Sequence, residues 1–310
     1  MSTAAADFDR RLVSGILNID KPTGMTSHDV VAYVRRLISQ RRVGHAGTLD
    51  PMATGVLLLC LGQATRVAEY LMAGRKKYLA VVRLGVATDT YDAEGSITQT
   101  VEAFALSREE IEEASSTFQG QIQQVPPPYS AIRRQGRRLY ELARRGIPVQ
   151  VPPRRVELDE IKLLAWDAPQ VTLQITCSPG TYIRSLAHDL GQVLKVGGHL
   201  TALRRLASGN WRVEEAVNLD DLTAAVQAGA WLHLMHPIDA ALQDLDRVDL
   251  SVDLAQRVSQ GQAVELKARP ETNLARAYAP GDTLVAILKP SSKKPGLWQP
   301  KKVFHTLSNI

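Results

Sequence analysis

Cysteine is nearly absent from this chain, which contains two cysteines, Cys60 and Cys177, among 310 residues. Each lies in an apolar or alternating run typical of a strand, so we expect two buried thiols in a reducing compartment. Two isolated cysteines exclude a disulfide framework. Without a paired CxxC, the seven scattered histidines do not form a zinc-binding motif. We therefore predict neither a disulfide nor a metal site.

Long hydrophobic runs are also missing. No apolar stretch approaches the roughly 20 residues of a membrane span, and the polar segment up to Arg11 lacks the apolar core of a signal peptide. We therefore expect a cytoplasmic protein without membrane contact. A chain of 310 residues with 45% hydrophobic composition can nevertheless bury a sizeable core, and its length favours two domains.

The common phosphate-binding glycine motifs are absent as well, since neither GxxxxGK[ST] nor GxGxxG occurs. The chain has instead the run GHAGTLDPMATG at 44–55, which leads into an apolar stretch at 56–61. Its glycines permit backbone conformations and close ligand approach that other residues forbid, and Pro51 stiffens the chain after Asp50. Asp50 is therefore a candidate nucleophile. The alternative is a structural turn in which Asp50 caps a short helix that begins at Pro51.

The run at 44–55 closely resembles the catalytic motif GHxGxLDPxATG of the bacterial tRNA pseudouridine-55 synthases, the TruB family. Three further matches follow the family's order and approximate spacing: GILNIDKPTGMTS at 15–27, Lys77-Tyr78, and GTYIR at 180–184. The resemblance extends over residues 11–215. It implies an enzyme that isomerises uridine to pseudouridine at position 55 in the T loop of tRNA and requires no cofactor.

The resemblance also implies a role for each matched residue. Asp50 becomes the nucleophile, Arg184 its ion-pair partner, and Tyr78 the ring that stacks on the flipped-out base and serves in proton transfer. A guanidinium near Asp50 makes chemical sense, because it opposes the protonation that burial favours. Six further residues are matched to substrate binding. His45 stacks in the tRNA loop, and Tyr182 and Leu203 line the uracil pocket. Lys21 and Pro22 mainly support the site, and Asp92 matches a further family aspartate. Core packing remains the alternative for Tyr182 and Leu203, and an ordinary turn for Asp92.

Positive charge is concentrated in one segment. The chain between Pro126 and Arg155 contains eight arginines and a single acid, Glu141, and proline runs mark both of its ends. This pattern indicates an excursion from the core at about 126–155, with a short helix over 138–145. We predict that it holds the backbone of the tRNA T-arm through Arg133, Arg134, Arg137, Arg138, Arg144 and Arg145. A solvated, disordered loop is the alternative.

Hydrophobic periodicity predicts strands at 12–19, 78–86 and 171–177, a helix capped by Ser27, and a helix at 106–118 capped by Ser107. We expect an α+β fold whose catalytic domain is built on a mixed, mainly antiparallel sheet. Beyond residue 248, short β-like runs at 283–288 and 302–307 predict a small PUA-like β-barrel. The predicted division is a flexible N-terminus at 1–10, a catalytic domain at 11–247 and an RNA-binding domain at 248–310.

Other functions deserve comparison with this one. A tRNA-binding chaperone would act without catalysis, but Asp50, Tyr78 and Arg184 are all present. A base deaminase would need the HxE and PCxxC zinc signature, which is absent. A guide-RNA-dependent pseudouridine synthase is a closer alternative. The long arginine-rich excursion favours a stand-alone enzyme, which we expect to be a monomer without an obligate protein partner.

Overall fold

The computed structural model describes residues 13–128, 151–266 and 270–304, together with the backbone of two short strands at 133–134 and 137–138. Within these ranges the chain has the predicted α+β architecture, with a large mixed sheet followed by a smaller one. No helix in this part of the chain is long and apolar enough to cross a lipid bilayer.

The elements are numbered in chain order. The strands are β1 Gly15–Lys21, β2 Val43–Ala46, β3 Thr54–Leu61, β4 Lys76–Leu84, β5 Val86–Thr88, β6 Ile97–Thr100, β7 Gly120–Gln124, β8 Arg133–Arg134, β9 Arg137–Arg138, β10 Arg154–Asp167, β11 Gln170–Cys177, β12 Gly198–Ser208, β13 Trp211–Arg212, β14 Met235–His236, β15 Asp246–Asp249, β16 Ala275–Ala279, β17 Thr283–Pro290 and β18 Trp298–Val303. The α-helices are α1 Ser27–Leu37, α2 Ala68–Ala73, α3 Arg108–Ser116, α4 Ile183–Val193, α5 Leu219–Gln227 and α6 Val252–Ser259.

The main sheet has ten strands within the described residues, and most of them follow the order β14-β1-β3-β12-β4-β11-β10-β7. β2 pairs with β3 and β13 pairs with β12 beside this path. All of these pairs are antiparallel except β12 with β3, which run parallel where Arg204 faces Thr54 and Arg205 faces Gly55. A mixed, mainly antiparallel sheet is therefore confirmed. Because β12 contacts both β3 and β4, it brings three distant parts of the chain to one point.

Strand β3 explains the apolar run after the glycine-rich motif. Leu57 and Leu59 face the main core, whereas Leu58 and Cys60 face a second cluster that includes Ile287 of the smaller sheet. A strand buried on both faces needs apolar residues at successive positions, not alternation. The second sheet therefore covers the reverse face of the strand that follows Asp50. Cys60 is buried, as expected, and so is Cys177.

Helix α1 begins differently from the prediction. Its N-cap is Thr26, and Thr26 and Asp29 form a reciprocal capping box, so the prediction that Ser27 caps the helix is wrong by one residue. Ser27 is instead buried, and its hydroxyl accepts a hydrogen bond from Leu49 N at 2.9 Å and donates one to Leu49 O at 3.2 Å. The helix start thereby holds the residue that precedes Asp50.

The other local predictions can be compared directly with the structure. Ser107 caps helix α3 through a capping box, as predicted. The strands predicted at 12–19, 78–86 and 171–177 are present as β1, β4 and β11, with ends displaced by up to three residues. Arg138, at the approximate start of the helix predicted over 138–145, belongs to β9. The rest of that helix lies outside the described residues.

Helix α4 packs unusually close to the start of β12. A Cβ atom at Gly191 would lie 2.1 Å from the backbone nitrogen of Gly198, far closer than the 3.0 Å below which non-bonded contacts of Cβ atoms essentially never fall. Two glycines therefore let the helix and the strand approach backbone to backbone. This contact sets the position of α4 against the sheet.

The smaller sheet differs from the predicted barrel. Its strands follow the order β15-β16-β17-β18, and within 246–266 and 270–304 no ladder joins β15 to β18. Helix α6 packs Ala255 and Val258 against this sheet, so a helix and not further strands covers its apolar face. The closed barrel is therefore corrected to an open four-stranded sheet. The domain boundary at 247/248 stays a prediction, and β15 places residues from Asp246 onward in this sheet.

Candidate active site

A cavity of ≈370 Å³ opens where the loop before β3 meets β4, β12 and the start of α4. Its lining includes Asp50, Tyr78, Tyr182, Arg184 and Leu203, five residues that the sequence singles out. In the sheet, Tyr78 of β4 lies opposite Arg205 of β12. A volume of this order is typical of small-ligand pockets. The register of the sheet thus joins motifs that are far apart in the chain.

Asp50 lies in a tight turn and not at the start of a helix. Ala53 N donates a hydrogen bond to Asp50 O at 3.0 Å, and strand β3 begins at Thr54 immediately afterwards. Gly55 has φ +98°, and a Cβ atom there would lie 2.2 Å from Arg205 O. The last glycine of the motif therefore permits the close contact of β3 with β12. The alternative in which Asp50 caps a helix from Pro51 is wrong.

The Lys21 side chain is hydrogen-bonded to the turn that contains Asp50. Lys21 Nζ donates hydrogen bonds to the carbonyl oxygens of Pro22, Met25 and Pro51 at 2.8, 2.6 and 3.2 Å. Burial lowers the pKa of Lys21 to about 8, and the Asp50 carboxylate opposes that shift. Neither Lys21 nor Pro22 lines the cavity. Lys21 is fully buried, which agrees with the supporting role that the resemblance implies for this pair, and a part in substrate binding stays a prediction.

Asp50 and Arg184 form a two-point ion pair inside the cavity. Arg184 Nε lies 2.9 Å from Asp50 Oδ2, and Arg184 Nη2 lies 3.1 Å from Asp50 Oδ1. The Arg184 side chain is 7% exposed and the Asp50 side chain 35% exposed, so the carboxylate faces the cavity while the guanidinium is enclosed. Burial raises the pKa of Asp50, and the positive charge of Arg184 is the main influence that opposes this rise.

Asp92 lies behind Arg184 and not in the cavity wall. Its Oδ2 accepts a hydrogen bond from Arg184 Nη1 at 3.1 Å, while Thr90 Oγ1 and Glu94 N donate to its Oδ1 at 2.6 and 3.1 Å. Asp92 is 4% exposed. Asp92 therefore holds the far side of the guanidinium, and direct contact of Asp92 with substrate stays a prediction. Its negative charge also contributes to the raised pKa of Asp50.

Tyr78 is buried in the cavity wall next to Arg205, a residue that the sequence did not single out. Burial raises the pKa of Tyr78, and the adjacent Arg205 guanidinium opposes the rise, so the phenol keeps its proton at neutral pH. Arg205 Nε donates to Val56 O at 2.6 Å and its Nη2 donates to Gly47 O at 3.0 Å. One buried arginine therefore ties the glycine-rich loop to β3 beneath the cavity.

The spacing between Arg205 and Leu203 could have identified Arg205 from the sequence. Arg205 lies two residues beyond Leu203 in a strand, so the two side chains share one face, whereas Arg204 points to the other face and pairs with Asp20. A second cavity residue that was missed is Lys76, two residues before Tyr78 on β4. Its ammonium donates to carbonyl groups at the end of α2, and burial lowers its pKa to about 8.

His45 lies beside the site on β2 and does not line the cavity. Its ring packs edge-on against the ring of His28, with centroids 5.3 Å apart. Burial lowers the pKa of His45 to about 4, so the imidazole is neutral at physiological pH. A neutral aromatic ring is compatible with base stacking, and that role stays a prediction.

The arginine-rich excursion leaves and re-enters the sheet at one place. Gln124, the last residue of β7, pairs with Arg154, the first residue of β10. Between them, β8 and β9 form a two-stranded antiparallel ribbon in which Arg133 faces Arg138 and Arg134 faces Arg137. Arg144 and Arg145 lie outside the described residues. Contact of these six arginines with RNA therefore stays a prediction.

Two family models match this chain over adjacent segments. Residues 35–183 match the TruB family pseudouridylate synthase N-terminal domain, and residues 184–246 match the tRNA pseudouridylate synthase B C-terminal domain. The tRNA pseudouridine synthase B of Dehalococcoides mccartyi strain BAV1 is 44% identical over 94% of this chain and 97% of its own length. The chain belongs to the TruB family. The resemblance found in the sequence and the expected enzyme class, a pseudouridine synthase, are thereby confirmed.

Another relative and two solved structures are also similar to this chain. The tRNA pseudouridine synthase B of Clostridium kluyveri is 42% identical over 89% of this chain and 95% of its own length. A chain of a Cbf5-Nop10-Gar1 complex is 28% identical, with a TM-score of 0.73, over 93% of this chain and 84% of that one. A chain of an H/ACA RNP bound to a substrate RNA containing 2'-deoxyuridine is 26% identical, with a TM-score of 0.71, over 94% and 84% of the two chains.

Proposed function

We propose that this TruB-family protein isomerises uridine to pseudouridine at position 55 in the T loop of tRNA. The observation that carries the proposal is the Asp50 carboxylate, held by Arg184 at two points and facing a small-ligand cavity. The names of its 42–44% identical relatives support tRNA as the substrate. In this proposal the protein acts as a cytoplasmic monomer, with a catalytic domain at 11–247 and an RNA-binding domain at 248–310.

The reaction exchanges one bond of the base for another. The bond from N1 to C1′ breaks, uracil turns within the cavity, and C5 bonds to C1′ while the C5 proton is lost and N1 gains a proton. No oxidant or reductant is needed, because the product is an isomer of the substrate. A closed cavity serves this chemistry by retaining the detached uracil.

Asp50 is the proposed nucleophile on the flipped-out base. Its carboxylate either attacks C1′ directly or promotes a glycal intermediate by way of C2′, and both routes require the ionised form. Arg184 supplies the opposing charge that favours ionisation in a desolvated site. Tyr78, protonated at neutral pH, offers a stacking face and a hydroxyl for hydrogen bonding. It can take part in proton transfer at C5 as a relay, accepting the C5 proton while its own hydroxyl proton passes on. Tyr182 and Leu203 complete the proposed uracil pocket.

Two other functions fit the chain less well. A chaperone without catalysis has no need for an enclosed arginine that pairs with a carboxylate in a cavity. A guide-RNA-dependent synthase is the closer alternative. The chains from the H/ACA RNP and the Cbf5 complex are 26–28% identical to this one, against 42–44% for the tRNA pseudouridine synthase B relatives. The higher identity favours the stand-alone tRNA enzyme.

The proposal is tested by incubating the protein alone with an unmodified tRNA transcript and mapping pseudouridine at each position. We expect conversion at position 55 without any cofactor or added RNA. A matched transcript with cytidine at position 55 should remain unmodified. Conversion that requires an added guide RNA, or pseudouridine confined to other positions, would contradict the proposal.

Activity should fall on acidification because Asp50 must be ionised. Burial raises the Asp50 pKa above its ordinary value of 3.8, so the carboxylate is protonated at a higher pH than an ordinary aspartate. The single-turnover rate constant of the saturated complex should therefore decline as pH drops, starting above the range of an exposed aspartate. The measurement is a pH profile, with tRNA binding measured at each pH to verify saturation. An acid limb centred at or below 3.8 would contradict the assigned electrostatics.

The arginine ribbon should contribute phosphate contacts. Replacing Arg133, Arg134, Arg137 and Arg138 together by Gln should weaken tRNA binding and reduce the slope of log affinity against log salt by about one per lost contact. Binding is measured across a salt series. The bound complex should still react at the wild-type rate, which serves as an internal control. An unchanged slope would show that this ribbon does not touch phosphates, whether or not the enzyme assignment holds.

A further inference from the structure

Gln124 makes a contact that the catalytic assignment does not explain. It is fully buried at the end of β7, and its amide meets both polar groups of the Tyr182 backbone. Gln124 Nε2 donates to Tyr182 O at 3.0 Å, and Tyr182 N donates to Gln124 Oε1 at 2.8 Å. Two opposed hydrogen bonds from one side chain fix both the position and the orientation of this residue's backbone.

The place of this contact matters because Tyr182 stands at the N-terminus of helix α4. Tyr182 is the N-cap residue and lines the cavity, and Arg184 follows two residues later. A shift of the Tyr182 backbone would therefore move the ring within the proposed uracil pocket. Buried hydrogen bonds of this kind are strongly directional, and losing one partner leaves a buried group unsatisfied.

Two neighbouring contacts reinforce the same connection. Ser185 Oγ, in the first turn of α4, donates to Val125 O at 2.7 Å. The guanidinium carbon of Arg154 lies 5.7 Å from the centroid of the Tyr182 ring. Gln124 and Val125 come just before the arginine-rich excursion, and Arg154 lies at its end. Residues at both ends of the excursion therefore contact the segment that carries Tyr182.

We infer that Gln124 is a positioning residue for the isomerisation, acting through Tyr182. It holds the ring where the flipped base must lie, and it touches neither the base nor the reacting atoms. This inference rests on the proposed function. It adds a residue outside the motifs of the sequence and connects the root of the excursion to the cavity.

The first test replaces Gln124 by Met, which has a similar shape and lacks both hydrogen-bonding groups. The matched control is Gln123→Met, the same change at the next residue of the strand, where the side chain is exposed. We expect Gln124→Met to lower the single-turnover rate constant at saturating tRNA by about 10-fold or more, because a small misplacement of a pocket residue is costly. The tRNA dissociation constant should stay within about two-fold of the wild type, as for a positioning residue outside the binding surface.

The wild-type protein and the control separate this inference from the proposed function. If wild-type protein does not convert the tRNA, the proposed function fails. If wild type and Gln123→Met convert it and Gln124→Met does so equally fast, the inference on Gln124 fails while the enzyme assignment stands. A rate loss with a matching loss of tRNA affinity would also overturn the positioning role.

A second variant, Gln124→Glu, distinguishes the loss of these hydrogen bonds from a general loss of stability. The protonated carboxyl group can donate to Tyr182 O and accept from Tyr182 N, whereas the ionised form loses the donor. Its rate constant, divided by that of wild type at the same pH, should therefore rise towards one as pH falls. A ratio independent of pH would contradict the two-bond role of the amide.

A double-mutant cycle tests whether Tyr182 is the route of the effect. In the Tyr182→Ala background, Gln124→Met should cause less than about a two-fold further loss, because the ring it positions is gone. Thermal unfolding of all four proteins identifies any variant that is unfolded at the assay temperature. Equal rate losses from Gln124→Met in both backgrounds would overturn the assignment to Tyr182.

Discussion

Replacing Asp50 by Asn is expected to abolish pseudouridine formation while leaving the fold and tRNA binding intact. The two side chains are nearly isosteric, and the amide oxygen can still accept a hydrogen bond from Arg184, which approaches both oxygens of the native carboxylate. An amide supplies no anionic nucleophile, so the single-turnover rate constant should drop by about 10⁴-fold or more. Position-specific mapping after long incubation measures the residual conversion.

The control for this prediction is Asp253→Asn, the same change at an exposed aspartate of helix α6 that does not line the cavity. It should convert tRNA at the wild-type rate. The tRNA affinity of Asp50→Asn should match that of the wild type, since the main attraction comes from phosphate contacts. Substantial single-turnover conversion by purified Asp50→Asn would remove Asp50 from the mechanism.

Arg184→Lys should also be severely impaired, although it preserves the positive charge. Arg184 contacts Asp50 through Nε and Nη2 and Asp92 through Nη1, and a single ammonium group cannot reproduce these three directions. We expect a loss of about 100-fold or more in the single-turnover rate constant, as for a misplaced catalytic group. Weaker pairing should raise the Asp50 pKa further, so the acid limb of the pH profile should move to higher pH.

Arg204→Lys is the matched control for this change. Arg204 also meets a carboxylate at two points, with Nη2 2.7 Å and Nη1 3.2 Å from the oxygens of Asp20, but it does not line the cavity. Its variant should retain most of the wild-type activity. Near-normal rate constants for Arg184→Lys would indicate that Arg184 is a general cation in the site and not a geometric partner of Asp50.

Local sequence patterns predicted local structure well where a short stretch of chain determines the outcome. The capping box at Ser107 and the apolar periodicity of strands β4 and β11 depend on neighbouring residues. Predictions were wrong where a contact with a residue far away in the sequence determines the local structure. Ser27 resembles a helix cap, but its hydroxyl is hydrogen-bonded to Leu49. Asp50 resembles the start of a helix, but Gly55 packs closely against Arg205 in the strand that begins at Thr54.

The sequence by itself determined the family and the residues at the centre of the site, because the motifs around Asp50, Tyr78 and Arg184 are contiguous and specific. Only the tertiary structure decided what surrounds them. Asp50 and Arg184 are 134 residues apart in the chain, and Gln124 and Tyr182 are 58 apart.

Such contacts follow from the register of the main sheet and from the packing of α4 against it. They place Asp92 against Arg184, Arg205 next to the phenol of Tyr78, and Lys21 against the turn that contains Asp50. A local motif specifies which groups are present. Their charges, protonation and orientation depend on buried neighbours that no local motif contains.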